Sequence, residues 1–539
     1  MAHTEHAASA ASGSYDYLVI GAGSAGCVVA ARLSAQGSVC LLEAGGDARD
    51  AIVEVPMGLP LLLRGRGHNW AFDTEAQSAL NGRRLYWPRG KGLGGSSAIN
   101  AMVYTRGDPS DYDAWAAAGC SGWDWASLLP VFRAHEAQCR GADAWHGADG
   151  ALPVSDIARP NALSLAFVAA GAQAGLLRRT DFNTDARDGV GLYQVTQRGG
   201  RRVSAARAFL DSLPRDAPLQ VRSGMLATRI LIDAQQRRAH GVELRGPAGT
   251  LTLHARREVV LCAGAVQSPQ LLMLSGVGDG DALQRLGLRC IHHAPHVGRN
   301  LQDHLDVTLL HRERGALAVG VGPRMLPRML VEALRWRRDG SGLFASNAAE
   351  AGGFARSDAQ QPRCDLQLHF VPSLLRDHGR RLSWGYGYTL HVCQLYPHSR
   401  GRIELAGPDA ATPPRIDPDY LGDARDLPVL RAGVRLAQRI LGAPALRAHD
   451  AGAFTPASTA ADDSGIDAYV RANAESIYHP VGSCRMGADA DAVVDPDLRV
   501  RGIDGLRVAD ASIMPTLIGG NTSAACMAIG EIAARRMLR

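Results

Sequence analysis

Residues 15–46, "YDYLVIGAGSAGCVVAARLSAQGSVCLLEAGG", decide the fold. Tyr17 to Ile20 read as a short apolar strand, Cys27 to Leu33 as a helix of small and apolar residues, and Val39 to Leu42 as a second strand ending in Glu43. Gly21, Gly23 and Gly26 stand between strand and helix in G-x-G-x-x-G spacing. The first glycine permits a tight turn, the second lets backbone approach a pyrophosphate at the helix N-terminus, and the third lets helix and strand pack closely. Glu43, at the end of the second strand, suits a ribose diol and would repel the 2′-phosphate of NADP. A dinucleotide-binding unit is expected, and the motif alone does not separate NAD from FAD.

Length and composition set the frame around this unit. At 539 residues the chain exceeds the roughly 250 to 300 at which one core stops growing, so two domains are expected. A 46% hydrophobic and 21% charged content is that of a soluble globular protein, and no apolar run is long enough to span a bilayer. The opening "MAHTEHAASAASGS" has neither a basic nor an apolar block, and reads as a disordered lead-in over 1–14 rather than a signal peptide. Ten scattered cysteines without a C-x-x-C pair suit free thiols in a reducing compartment, so the cytoplasm is expected. The excess of 58 basic over 53 acidic residues is too small and dispersed for a nucleic-acid partner. Of the basic runs, "RGGRR" (198–202) reads as solvated surface, whereas "LRWRRDG" (334–340) leaves peripheral contact with acidic lipid, at the inner membrane, open.

Three further stretches repeat the glycine grammar. "RGKGLGGSSAINAMVY" (89–104) brings many backbone N–H groups to one face ahead of an apolar run, as a phosphate cradle or a flavin bed requires. "GAVQSPQLLMLSGVG" (264–278) reads as a small-residue turn and a helix closed by Gly276, with "HVGRNLQDH" (296–304) returning a loop toward the same region. "GLRVADASIMPTLIGGNTSAACMAIGEIAARRM" (505–537) gives a strand to Val508, an acid at Asp510, a glycine turn and a helix. "YHPVGSCRMG" (478–487) offers His479 as metal ligand, base or packing residue. Structural zinc wants four ligands, usually as two close pairs, and Cys484 has no such companions, so no metal is expected.

Taken in order, these motifs resemble the glucose-methanol-choline (GMC) family of FAD oxidoreductases, from about Tyr15 to the C-terminus. The resemblance implies an α/β protein with a discontinuous Rossmann-like FAD-binding domain (15–310 and 481–539) and an inserted α+β substrate domain (311–480) on an antiparallel sheet. Alternation in "DLQLHFV" (365–371), "YGYTLHVCQLY" (386–396) and "GRIELAG" (401–407) agrees with a sheet covered on one face. Carried over by position, FAD contacts fall on Gly21, Gly23, Ser24, Ala25, Gly26, Glu43 and Ala44 for pyrophosphate and ribose, and on Ala227 for adenine. Trp70, Gly94, Asn100, Ala101, Met102 and Val103 would line the flavin, and Asp510 with Ala511 the ribityl side. Some relatives attach FAD through a histidine where this chain has Ile99, so non-covalent FAD is expected.

The implied reaction is oxidation of a primary alcohol to an aldehyde, with hydride passing to flavin N5, His479 as base and Asn521 holding the oxygen. Choline dehydrogenation and hydroxynitrile cleavage on the same scaffold are the alternatives. In choline-oxidising relatives a glutamate preceded by aromatics faces the ammonium; here Glu350 follows Ala348 and Ala349, forfeiting cation–π contacts of about 0.5 to 2 kcal/mol each. Glu350 is left open between a structural and a substrate role. The electron acceptor, a quinone, a carrier protein or oxygen, and the oligomeric state are not legible.

Overall fold

The computed structural model describes residues 13–381 and 383–539. Most of the expected lead-in, residues 1–12, lies outside the described residues, and Gly13 and Ser14 already belong to the first strand, Gly13–Ile20. The helix Ser24–Leu33 and strand Val39–Leu42 follow as the glycine spacing predicts.

The first strand lies parallel to Val39–Leu42 on one side and to the end of the long strand Gly249–Leu261 on the other. Leu219–Arg222 extends the sheet beyond Val39–Leu42. Two antiparallel strands, Arg238–Gly246 and Leu226–Asp233, complete the opposite edge. Leu506–Val508, from the far end of the chain, pairs in parallel with Val259–Leu261. Ile20, Leu42 and Leu261 stand in register, as do Leu42 and Arg222 and Leu261 and Val508, so five parallel strands end at one level. Ligands of open α/β sheets bind beyond such carboxyl ends, and here Gly21, Glu43, Cys262 and Asp510 lie just past them.

The second sheet is antiparallel throughout, in the order Asp450–Ala453, Leu305–Glu313, Gly387–Gln394, Leu366–Val371, Ala351–Ala355 and Gly189–Leu192, with Glu475–Ser476 pairing the start of Leu305–Glu313. It draws one strand from within 15–310, and Leu305–Glu313 runs across the 310/311 division. The segment "GRIELAG" departs from expectation: Arg402–Glu404 forms a separate hairpin with Arg415–Asp417.

The alternating strands are buried on both faces, not one. On one face Leu366 and Val392 meet the helix Asp426–Leu441, where a Cβ on Gly433 would come within 2.3 Å of Val392 Cγ1. On the other, His369 and His391, direct cross-strand partners, turn into a cavity. The polar half of the alternation faces a site rather than solvent. No helix among the described residues is long and apolar enough to cross a membrane.

Candidate active site

One long cavity joins the carboxyl ends of the parallel strands to the polar face of the second sheet. At its first end lie Gly21, Gly23, Ser24, Ala25, Glu43, Ala44 and Ala227; Asp510 and Ala511 line its course, and Trp70, Asn100, Ala101, Met102 and Val103 follow toward His479 and Asn521. Two expected contacts are absent from the wall. Gly26 is buried in the helix–strand contact, where a Cβ would meet the Gly21 carbonyl oxygen at 1.9 Å. Gly94 donates its N–H to the Ala22 carbonyl at 2.8 Å and packs on Ser204, whose Cβ would lie 2.9 Å from any Cβ at 94. Both glycines shape the wall from behind it.

Backbone carries much of this geometry. The glycine loop 89–104 docks on the first turn so closely that a Cβ on Gly95 would stand 2.7 Å from Gly23 Cα. The helix Ser24–Leu33 begins at Gly23 with no side chain capping it, so its first N–H groups remain open beside the cavity, as an anion requires. Glu43 Oε1 accepts the N–H groups of Gly45 (2.8 Å) and Gly92 (2.9 Å), and Oε2 that of Ala22 (3.0 Å). A carboxylate offers about four acceptor sites, so one remains on Oε2 for a ligand hydroxyl. Burial pushes the Glu43 carboxyl up while these three bonds pull it down. Asp510 is likewise pushed up by burial, and it ties Gly264 N–H (2.9 Å), the Ser268 hydroxyl (2.5 Å) and Ser512 N–H (2.8 Å) into one turn.

The far end is a relay of defined polarity. His304 Nε2 lies 3.0 Å from the Leu395 carbonyl, an acceptor only, so that nitrogen carries the hydrogen. Burial lowers the His304 pKa to about 3, which leaves Nδ1 a lone pair. His479 Nδ1, 3.0 Å away, must then donate to it, which leaves the lone pair of the His479 ring on Nε2. Asn521 Nδ2 stands 3.3 Å from that Nε2. Its orientation follows from its own oxygen, which accepts from Gln367 Nε2 (3.1 Å) and the Thr105 hydroxyl (3.3 Å). Burial, then the neighbouring His304, His369 and Arg89, holds His479 well below the usual imidazole range.

Beneath this relay, Asp303 accepts the backbone N–H of His479 at 2.7 Å and the hydroxyls of Tyr420 and Ser476. Burial raises its carboxyl to about 6 against those bonds and the Arg89 charge. Arg89 donates to the Tyr478 carbonyl at 2.6 Å, fixing the residue before the base. His304 and Asp303 fall in "HVGRNLQDH", which sequence reading returned to this region without giving either a role; the contacting partners stand 175 and 176 positions apart. Arg187 was also missed. It is buried, stacks 3.6 Å from the Phe354 ring centroid and lies near Gly520, and no sequence pattern marks it.

Glu350 is now placed. It is buried and absent from the cavity wall; Oε2 accepts Asn161 N–H (2.6 Å) and the Ser164 hydroxyl (2.8 Å), and Oε1 the Ser346 hydroxyl (2.6 Å). The cavity wall does take Asn347, Ala348 and Ala349 from the residues just before it, and Leu59, Leu63, Val371 and Leu375 add apolar surface alongside His369 and His391.

Two family profiles, both described as GMC oxidoreductase, match residues 15–306 and 397–530. Over 530 residues the chain is 46% identical to an alcohol dehydrogenase [acceptor] of Pseudomonas putida, covering 97% of this chain and 96% of that one. It is 38% identical to an oxygen-dependent choline dehydrogenase of Vibrio vulnificus, over 97% and 94% of the two chains. A crystal structure of pyridoxine 4-oxidase from Mesorbium loti superposes with a TM-score of 0.85 at 34% identity, over 96% and 98%.

Proposed function

The chain belongs to the GMC oxidoreductase family, and from that premise we propose that it oxidises a primary alcohol to the aldehyde, with His479 taking the hydroxyl proton and Asn521 holding the oxygen. The observation that carries this reading is the Nε2 lone pair of His479 within 3.3 Å of the Asn521 Nδ2 donor, both on the cavity wall, where a substrate hydroxyl would take over the contact. A hydroxyl between them donates to the imidazole and accepts from the amide, so the alkoxide that develops is bound as it forms. FAD, the family's cofactor, supplies the hydride acceptor when bound. The open N–H groups of Ser24 and Ala25 fit its pyrophosphate, the spare acceptor of Glu43 its ribose, Ala227 its adenine, and Asn100 to Val103 its ring system. Ile99 on the same wall has no nucleophile, which favours dissociable cofactor.

The substrate of this reading is an alcohol with an aliphatic or aryl tail, because Leu59, Leu63, Val371 and Leu375 give the cavity apolar wall beside its polar groups His369 and His391. Choline fits less well. Glu350 lies off the cavity wall, held by three protein donors, and no aromatic stands at 348 or 349 to face an ammonium group. We take residues 15–310 and 481–539 as the cofactor-binding part and 311–480 as the substrate part, with Gly189–Leu192 lent to the latter's sheet. Ten free thiols suit the cytoplasm, the compartment this reading assigns.

Anaerobic titration of the flavin-loaded enzyme with primary alcohols, choline included, tests the reading. Aliphatic or aryl alcohols are expected to bleach the flavin and choline is not. A flavin that stays yellow with every alcohol while a cyanohydrin is cleaved would mean a lyase. Readmitting air then separates oxygen from a quinone or carrier protein as acceptor.

A further inference from the structure

The helix Met325–Asp339 is built inside out for a surface helix. Its exposed large apolar side chains are Leu326 (74%), Leu330 (71%), Leu334 (71%) and Val331 (55%). The three leucines recur every four residues and form one stripe. The polar groups lie underneath and are satisfied there. Buried Glu332 accepts from Arg335 at 2.5 Å and from Leu343 N–H at 2.8 Å. Arg328 donates to the carbonyls of Ala316 (2.9 Å) and Ala318 (3.2 Å), and Trp336 Nε1 to that of Gly200 (2.8 Å). These bonds lock the rotation of the helix, so the leucines cannot turn inward without stranding buried polar groups.

Two more exposed apolar side chains sit on segments tied to this helix. Trp384 (73%) bridges Val321, just upstream of it. Leu61 (58%) is on the short helix Leu59–Arg64, whose Arg64 bonds the Gly379 carbonyl in the loop leading to Trp384. That short helix turns Leu59 and Leu63 into the cavity, so the site wall and the outer apolar surface share one element.

The ends of the stripe are basic. Arg324 precedes it, and Arg337 and Arg338 follow it, all exposed, with Asp339 the one acid on the exposed side of the helix. Antiparallel pairing with a second copy would set Arg324 against Arg337 and Arg338, like charge on like. An acidic bilayer complements both features: acyl chains take the leucines and headgroup phosphates the arginines. We propose that helix 325–339 docks this enzyme on an acidic membrane surface, seating Leu326, Leu330 and Leu334 at the boundary of headgroups and acyl chains.

Sedimentation of the holoenzyme with vesicles of equal parts phosphatidylglycerol and phosphatidylcholine, and with phosphatidylcholine alone, tests this. The wild type is expected to pellet with the acidic vesicles and bind neutral ones at least about tenfold more weakly. The triple change Leu326→Ser, Leu330→Ser, Leu334→Ser should weaken acidic-vesicle binding by about tenfold or more. Arg337→Gln with Arg338→Gln should weaken it by roughly thirtyfold, leaving neutral vesicles unaffected. Both variants should keep the wild-type thermal midpoint and rate with a water-soluble substrate. Wild-type protein that stays in the supernatant with both vesicles, or a triple-serine variant that pellets like wild type, would overturn the proposal. A wild-type dimer that the serine changes render monomeric would assign the stripe to a second copy instead. Vesicle binding is read without turnover, so it stands or falls apart from the oxidation chemistry.

Discussion

In the proposed reaction His479 acts through Nε2, the ring nitrogen left without a hydrogen. The Leu395 carbonyl orients His304, His304 orients His479, and the proton-accepting lone pair ends up on Nε2 beside Asn521. His304→Leu should therefore lower kcat about 10- to 100-fold while shifting KM little, because it frees the base to turn without touching substrate. Asp303 makes a prediction of opposite character. Its carboxyl, raised to about 6, is ionised above that pH and protonated below it, and protonation removes an acceptor that three donors share. The kcat/KM profile should fall as pH drops through about 6, and Asp303→Asn should be slow at every pH and lack that limb. His479, held lower still, should add no limb near its ordinary value of 6.5. The sequence marked His479 and Asn521 through their motifs, but the relay behind them depends on pairings across 175 positions that no local pattern encodes.

Glycine grammar and strand alternation were legible at the scale of the element, and each was legible in part. The strand and helix end at Ile20 and Leu33 as expected, since their signals are local, but they begin earlier, at Gly13 rather than Tyr17 and at Ser24 rather than Cys27. Gly26 and Gly94, expected as FAD contacts, lie off the cavity wall and pack against Gly21 and Ser204, a placement that depends on what lies behind each turn. Gly26→Ala forces a Cβ against a backbone oxygen that cannot swing away, so a loss of about 1 to 3 kcal/mol is expected, together with reduced flavin content after purification. Denaturant unfolding and the ratio of flavin to protein absorbance measure the two effects. In the strands Leu366–Val371 and Gly387–Gln394 the alternation was real, but its polar side faces the cavity rather than water. Period-two patterning separates two faces without saying what covers either.

The whole molecule joins two sheets around one cavity, and its wall draws on residues from Ile20 to Cys526. A five-motif order in the sequence anticipated that both chain ends meet in the first sheet, as Leu506–Val508 does. The strand lent from Gly189–Leu192 had no such signal, because four small and apolar residues match many environments. Held non-covalently, as proposed, FAD would be a ligand of the native state alone: at a hundredfold excess over Kd it should stabilise the protein by about 2.7 kcal/mol and raise Tm accordingly. Acid precipitation should leave all flavin in the supernatant; flavin retained on the chain would contradict the reading of Ile99. The most direct measurement is an anaerobic stopped-flow comparison of wild type and His479→Ala, both flavin-loaded, mixed with a primary aliphatic alcohol. Saturable bleaching that slows about 10²- to 10⁴-fold in the variant is the predicted result; equal rates in the two proteins, or no bleaching of the wild type by any primary alcohol, would contradict it.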